Sequence, residues 1–307
     1  MVTRLLARLG WGFVVLWGTT VITFLIIHTV PADPVRVYAG PNVDAETIRQ
    51  LQEEMGFDQP LVVQYYRYMK NLSTGNLGTS IITGEKVIDA IFARFPVTFI
   101  LAITAVFFWM LIAIPLGVFT AKVKGSRKDR LILLSSLITI SLPIFWLARI
   151  NQYLFSYKWG IFPVAGLDNW NHIILPAGTL AIAITGYYAR LIHTNMVEVL
   201  NSDYIKVARA KGLSETIILF KHGLRNAIIP VITILGIDIA ALMGGVVFTE
   251  NVFALPGLGS LALQSVFNLD VPMIMGVVIF SSGMVVTANI LVDLAYLILD
   301  PRIKEYT

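Results

Sequence analysis

The chain has 307 residues, of which 56% are hydrophobic and 14% charged, and its formal net charge is +4. A soluble domain usually has about a quarter of its residues charged, so this composition excludes an ordinary water-soluble protein and indicates one whose solvent is lipid. The absence of cysteine excludes a disulfide framework, a thiol nucleophile and a thiolate metal site. The four histidines are far apart in the sequence and do not indicate a metal site.

Six apolar stretches are long enough, at about 20 residues each, to cross a bilayer as α-helices. They cover residues 9–30, 97–121, 131–155, 173–195, 228–249 and 271–297. The first exceeds a signal-peptide core and no small-residue cleavage site follows it, so we expect it to be retained. Pro115, Pro143 and Pro230 are expected to kink or break their helices. The sequence therefore predicts an all-α membrane protein with six transmembrane helices.

Lysine and arginine mark one side of the membrane, since short cytoplasmic loops are enriched in both. The basic residues concerned are Arg4, Arg8, Lys122, Lys124, Arg127, Lys128, Arg130, Arg190, Lys206, Arg209, Lys211, Lys221, Arg225, Arg302 and Lys304. Residues 250–270 contain neither residue type. We therefore predict that both termini are cytoplasmic and that the polar segment 31–95, between the first two helices, is external.

Four regions follow from this topology. Residues 1–30 form the N-terminal cytoplasmic end and the first helix, and residues 31–95 the external segment. Residues 96–300 carry the remaining five helices, and residues 301–307 form a cytoplasmic tail. Within the external segment, Asp44 is expected to cap a helix over 45–55 that Gly56 ends. An amphipathic run over 61–72 carries three tyrosines and suits a helix at the membrane interface.

The cytoplasmic link over 200–226 is the most informative region. Asp203 is expected to cap a short helix that reaches Lys211, with Gly212 as a left-handed stop and Ser214 beginning the next helix. Two short helices joined at a glycine would present small and basic residues to the groove of another protein. The alternative is a solvated basic loop that only obeys the positive-inside rule.

The string that runs from Ala208 to Ser214 resembles the Glu-Ala-Ala loop of bacterial ABC importer permeases, in the form found in the oligopeptide, dipeptide and nickel permease family. The Glu-Ala-Ala places themselves read Lys206, Val207 and Ala208 here. Further blocks resemble the same family in order and spacing: Val30-Pro-Ala-Asp-Pro34, Gly56-Phe-Asp-Gln-Pro-Leu-Val-Val-Gln-Tyr65, Gly75-Asn-Leu-Gly78, Phe253-Ala-Leu-Pro-Gly-Leu-Gly259, Asp293-Leu-Ala-Tyr296 and Asp300-Pro-Arg302.

The resemblance implies a type I ABC importer transmembrane domain that is a permease and not an enzyme. It implies as partners a second homologous permease, two cytoplasmic ATP-binding subunits and an external solute-binding protein, in the cytoplasmic membrane of a bacterium or archaeon. Nucleic acid is not an expected partner. The residues implied at the ATPase-coupling contact are Ala208, Arg209, Ala210, Lys211, Gly212 and Leu213.

No phosphate-cradling Gly-x-x-x-x-Gly-Lys-Ser/Thr loop occurs in the sequence, so we expect ATP to be used by the partner subunits and no cofactor to bind to this chain. The resemblance implies di- or oligopeptides as substrates, with nickel or a metal chelate as the alternative within the same family.

Polar residues inside the predicted spans suggest where a substrate could pass, because such residues are costly in lipid and usually face a bundle interior or cavity. Arg149, Asn151 and Gln152 are candidates for lining the pathway, although Arg149 could instead snorkel to the interface. Asp238 and Asp293 would suit the proton relay of an ion-gradient-driven transporter; we interpret them as helix-packing or partner contacts. A receptor or scaffold is a further alternative, but it leaves the docking loop without a purpose.

Overall fold

The computed structural model describes residues 2–29, 33–40 and 43–299, with side chains described between residues 8 and 292 of these ranges. Its α-helices are α1 (Val2–Thr29), α2 (Pro34–Ala39), α3 (Ala45–Met55), α4 (Leu61–Ser73), α5 (Val87–Lys122), α6 (Arg127–Ser141), α7 (Ile144–Asn151), α8 (Asn171–Leu200), α9 (Asp203–Ala210), α10 (Glu215–Ile217), α11 (Arg225–Met243), α12 (Val247–Val252), α13 (Leu258–Phe267) and α14 (Val271–Leu299). Two π-helical segments, Gln152–Lys158 and Ile218–Leu224, continue α7 and α10. The described ranges contain an isolated bridge between Thr79 and Lys86 but no β-strand, which confirms the all-α prediction.

Five helical stretches are long and apolar enough to cross a membrane, namely Arg8–Thr29, Val87–Lys122, Asn171–Leu200, Glu215–Met243 and Val271–Val292. A sixth span is present if the bent pair Arg127–Ser141 and Ile144–Lys158 crosses as one unit. The multi-pass architecture predicted from the sequence is therefore confirmed.

The stretch predicted over 131–155 is not one straight helix: α6 and α7 meet at an angle of 98°, which confirms the expected kink or break at Pro143. Pro143 explains the break: proline has no amide hydrogen to continue a helix, and it pushes the residue before it towards extended backbone. Leu142 accordingly has φ −81° and ψ 129°.

The fifth predicted span also has different limits. Its helix begins before residue 228 and ends at Met243, and α12 starts only at Val247. Gly245 lies in the gap with φ +107°, and a Cβ there would come within 2.8 Å of the Gly259 Cα, so only glycine suits this close approach. Pro115 and Pro230 lie inside the uninterrupted helices α5 and α11, so of the three prolines only Pro143 breaks a helix.

The chain forms two compact units. The first comprises Met1–Thr98, Met243–Val247 and Pro256–Val286. Its apolar core joins the start of α5, helix α13 and the start of α14, through Val87, Ala90, Ile91, Leu258, Leu261, Met273 and Val277.

The external segment of the first unit contains the two helices predicted there. The Asp44 side chain accepts a hydrogen bond from the Thr47 amide at 2.8 Å and Gly56 ends α3 with φ +74°, which confirms both ends of that helix. Helix α4 packs against α1, where the Tyr65 hydroxyl lies 2.9 Å from the Thr20 hydroxyl and the Tyr65 ring 5.2 Å from that of Phe24.

The second unit comprises Phe99–Leu242, Phe248–Leu255 and Thr287–Thr307, and α8 is its central helix. The buried Tyr188 ring of α8 stacks on Trp109 of α5, with ring centroids 5.8 Å apart. At Gly186 the backbone of α6 comes so close that a Cβ would lie 2.6 Å from the Ser136 carbonyl oxygen. Close packing around α8 therefore depends on a residue without a side chain.

Candidate functional site

The segment over 200–226, called the docking segment after its predicted role, contains the short helix α9. Ser202 precedes this helix in extended conformation, with φ −70° and ψ 155°, so the prediction that Asp203 caps it is wrong by one residue. Asp203 is instead the first helical residue and pairs with Lys206 at 2.8 Å. A carboxylate in the first turn also interacts favourably with the positive end of the helix dipole.

Helix α9 ends in a left-handed turn at Gly212, as predicted. Gly212 has φ +76°, and its amide donates to the Arg209 carbonyl at 2.9 Å while the Leu213 amide donates to the Ala208 carbonyl at 3.3 Å. This pair of hydrogen bonds is the Schellman arrangement that closes many helices. Ser214 then precedes α10, which confirms the predicted start of the second short helix.

One face of α9 is anchored to the rest of the segment. Ile205, Ala208 and Ile218 are buried and pack together with Leu200. The i, i+3 spacing of Ile205 and Ala208 places both on this inner face. The opposite face and the turn are exposed, and they carry Arg209, Ala210, Lys211, Gly212 and Leu213. The structure therefore exposes five of the six predicted contact residues and places Ala208 underneath them.

Polar contacts hold the exposed turn in place. Arg209 Nε lies 3.0 Å from Glu215 Oε1 across the glycine, although an ion pair this exposed contributes only about 0–1 kcal/mol. The Asn226 amide donates to the Tyr204 hydroxyl at 2.7 Å and so ties α9 to the start of α11. The sequence reasoning missed Tyr204 and Asn226, because no spacing rule relates residues on two different helices.

The docking segment joins two candidate membrane spans through very short connections. Only Asn201 and Ser202 separate α9 from the end of α8. On the other side, Glu215–Met243 forms one continuous span of 29 residues, which includes the second short helix of the segment. The segment is therefore joined to α8 through two residues and to α11 without a break in the helix.

A cavity of about 200 Å³ lies beside the docking segment, between it and the end of α5. Its charged lining consists of Lys122, Lys124, Arg209 and Glu215. The basic loop that follows α5 and the docking segment thus lie on the same side of the unit.

The three predicted pathway residues occupy different environments. Arg149 is exposed and its guanidinium donates to Gln152 Oε1 at 3.1 Å. Asn151 is buried and donates to the Thr179 hydroxyl at 3.0 Å. Gln152 donates to the carbonyls of Val164 and Val252, at 2.8 and 3.1 Å. Asn151 and Gln152 therefore hold neighbouring segments together, and the pathway role of all three stays a prediction.

Asp238, singled out in the sequence, and the nearby Gly236 of α11 take part in packing. The Tyr188 hydroxyl donates to Asp238 Oδ2 at 2.6 Å, which confirms a helix-packing contact for this carboxylate; the Asp293 side chain lies outside the described part. Gly236 lies directly against Val292 of α14, so this glycine serves packing within the chain. Among the described residues, no group of three or more His, Cys, Asp or Glu side chains could hold a metal ion.

The matches to known proteins cover nearly the whole chain. The family described as binding-protein-dependent transport system inner membrane component matches residues 113–305, and the N-terminal family of the same transport systems matches residues 1–102. The oligopeptide transport system permease protein AppB of Bacillus subtilis is 38% identical over 99% of this chain and 100% of its own length. The glutathione transport system permease protein GsiC is 38% identical in Salmonella typhimurium and 37% in Escherichia coli K12, over 99% of this chain and 99% and 98% of the respective relatives.

Matches of this extent decide the family. The chain is a multi-pass membrane protein and a transport component, not an enzyme. It belongs to the binding-protein-dependent transport system inner membrane components, the permease subunits of ABC importers, which work with ATPase and substrate-binding partners.

Proposed function

We propose that this chain is one half of the translocation path of a peptide importer. A second, homologous permease supplies the other half, two cytoplasmic ATP-binding subunits drive transport, and an external solute-binding protein delivers the substrate. The observation that carries this proposal is the end-to-end similarity to an oligopeptide permease, together with an exposed and internally anchored docking turn at Gly212.

The exposed turn suits insertion into a groove of an ATP-binding subunit. Arg209 and Lys211 supply positive charge, and Gly212 leaves open space where a side chain would project. The buried Ala208 and Ile205 support the turn from below, so a push on it moves α9 as a unit. Closure of the ATP-binding subunits would then tilt α8 and α11, and the translocation path would open in turn to each side of the membrane.

The proposed orientation places both termini in the cytoplasm of a bacterium or archaeon. The shared cavity supports this orientation, because it brings Lys122 and Lys124 to the side of the docking segment. Positive charge from two loops on one side is typical of the cytoplasmic face.

The proposed substrates are di- or oligopeptides. The relatives' names concern oligopeptides and glutathione, which are both peptides, and neither name concerns nickel. A nickel or metal-chelate substrate therefore has no support from these relatives. The gradient-driven alternative is also weakened, because the Asp238 carboxylate is engaged by Tyr188.

The docking proposal is tested by co-purification of the complete importer through a tag on this chain. Gly212→Asp places a charged side chain on the turn, and a Cβ there meets no atom within 4 Å, so the substitution changes the docking surface without a clash. Gly84→Asp is the matched control, since Gly84 has φ +70° and equally open space but lies in the proposed external segment.

We expect wild type and Gly84→Asp to recover the second permease and the ATP-binding subunits. Gly212→Asp is expected to retain the second permease and lose the ATP-binding subunits. Equal recovery of those subunits with both variants would overturn the assignment of the docking turn.

A further inference from the structure

The imidazole ring of His28, next to the last residue of α1, contacts two oxygen atoms that only accept hydrogen bonds. Its Nδ1 lies 2.8 Å from the Phe24 carbonyl oxygen, one turn earlier in the same helix. Its Nε2 lies 3.2 Å from the side-chain oxygen of Gln64 in α4. The second contact ties the end of α1 to the external segment, and both partners belong to the first unit.

The orientation of the Gln64 amide follows from its other contacts. Its Nε2 donates to the Gln59 carbonyl at 2.8 Å and to the Phe57 carbonyl at 3.2 Å. A reversed amide would turn its oxygen towards these two carbonyls, neither of which has a hydrogen to donate. The Gln64 oxygen therefore faces His28, and the side chain links α1 to the turn over residues 57–60 between α3 and α4.

Only the protonated ring of His28 satisfies both contacts. A neutral imidazole has one N–H donor and one bare nitrogen, whereas the imidazolium donates from both nitrogens. In either neutral tautomer, a bare nitrogen would face the lone pairs of an oxygen. The ring is partly exposed, so protons reach it from solution. Because histidine ordinarily changes its charge between about pH 5 and 8, the contact with Gln64 responds to pH in that range.

The charged and titratable groups around His28 do not titrate in its place. Arg67 and Tyr68 of α4 line the same cavity, Tyr65 packs on α1, and neither residue type ordinarily titrates between about pH 5 and 8. Arg67 is exposed, so water and salt screen its repulsion of a protonated ring. Asp58 in the turn is also exposed. Among the described residues, the end of α3 and the start of α14 add no titratable side chain to the cavity lining.

We propose that His28 and Gln64 form a proton-operated clasp between α1 and the external segment. With the ring protonated, both hydrogen bonds form and the turn over 57–60 is held on α1. When the ring loses its proton, it keeps the shorter contact with the Phe24 carbonyl and releases Gln64. Because the closed clasp favours the protonated ring, the turn is held at low pH and loosened as pH rises. The clasp goes beyond the proposed transport function, and only the compartment whose pH it senses, the outside, follows from the proposed orientation.

The test is hydrogen exchange of the backbone amides in the complete importer, purified through this chain, between about pH 5 and 8. The Val63 and Gln64 amides donate to the Pro60 carbonyl at 2.8 and 3.1 Å, so their protection reports on opening of the turn. Protection is taken relative to the intrinsic exchange rate at each pH. We expect it to fall by about tenfold from the acidic to the alkaline end of the range, since a hydrogen bond to a charged group contributes at least about that factor.

Two variants remove the two halves of the clasp. His28→Phe keeps an aromatic ring beside Phe24 but has no proton to donate, so protection is expected to stay at the alkaline wild-type level at every pH. Gln64→Met keeps the length of the side chain without the acceptor, and its protection is also expected to be low and independent of pH. This second variant answers the question if His28→Phe fails to assemble.

His172→Gln is the control, because His172 lies in the second unit, where its Nε2 is 3.7 Å from the Asp168 carboxylate. It is expected to retain the wild-type pH dependence. Equal protection at both ends of the pH range in wild type would overturn the proposal, as would an unchanged pH dependence in either clasp variant or its loss in the control. The readout does not involve the ATP-binding subunits, so failure here leaves the docking proposal untouched, and the reverse also holds.

Discussion

Two glycines of the same helix are predicted to respond differently when changed to alanine. Gly178 and Gly186 both lie inside α8. A Cβ at Gly178 would meet no atom within 4 Å, whereas one at Gly186 would lie 2.6 Å from the Ser136 carbonyl oxygen and 2.6 Å from the Thr139 hydroxyl. The pair therefore separates helix propensity from close packing.

The expected magnitudes follow from these distances. Alanine in a helix interior is favoured over glycine by about 1 kcal/mol, and this gain applies at both positions. At Gly186 the backbone of α6 must also move away, and such overpacking costs about 1–3 kcal/mol. We therefore expect Gly178→Ala to stabilise the purified chain. Gly186→Ala is expected to be less stable than Gly178→Ala by about 1–3 kcal/mol.

The assay is thermal unfolding of both variants and wild type in one detergent, followed by tryptophan fluorescence, since the buried Trp109 stacks on α8. We expect the unfolding midpoint of Gly178→Ala to lie above that of wild type. The midpoint of Gly186→Ala is expected to lie below that of Gly178→Ala. If both variants shifted the midpoint upwards by the same amount, the close crossing of α6 and α8 would be refuted.

Three further predictions concern single polar contacts. Tyr188→Phe removes the donor to Asp238 and should lower the unfolding free energy by about 1–3 kcal/mol, measured by denaturant titration, without changing the pH dependence of uptake. Ser80→Ala leaves the buried Asp270 carboxylate with only backbone donors and should cost about 1–3 kcal/mol in the same titration. The Thr47 contacts lower the pKa of Asp44 below 3.8, so the cap of α3 should be fully stabilising above that value and lost as pH falls through the lowered pKa. The measurement is the protection of the α3 amides against hydrogen exchange, relative to the intrinsic exchange rate at each pH, and equal protection at neutral and strongly acidic pH would contradict this.

Capping residues and left-handed glycines predicted some helix limits well. Helix α3 has the predicted bounds because Asp44 caps its start and Gly56 adopts the left-handed conformation at its end. The turn at Gly212 was predicted for the same reason. Both signals act within a few residues of the chain, so they do not depend on tertiary contacts.

The sequence was less informative where neighbouring segments decide the outcome. The sequence predicted kinks or breaks at three prolines alike, and only the structure shows that Pro143 breaks its run with a bend of 98° whereas Pro230 does not break α11. Gln152 stays a predicted pathway residue, but the sequence did not reveal that its side-chain amide donates to two backbone carbonyls, one of them 100 residues away in sequence. Such long-range partners have no spacing rule that a single sequence could reveal.

We propose that ATP hydrolysed on separate subunits drives uptake through this chain by way of the docking turn. The most direct test is uptake of a labelled oligopeptide into proteoliposomes that contain the complete importer, with its solute-binding protein outside and ATP inside. We expect uptake with ATP, none with a non-hydrolysable analogue, and a loss of uptake with Gly212→Asp but not with Gly84→Asp. Uptake that proceeds without ATP under an imposed ion gradient, and that Gly212→Asp leaves unchanged, would show that transport is not driven through the docking turn.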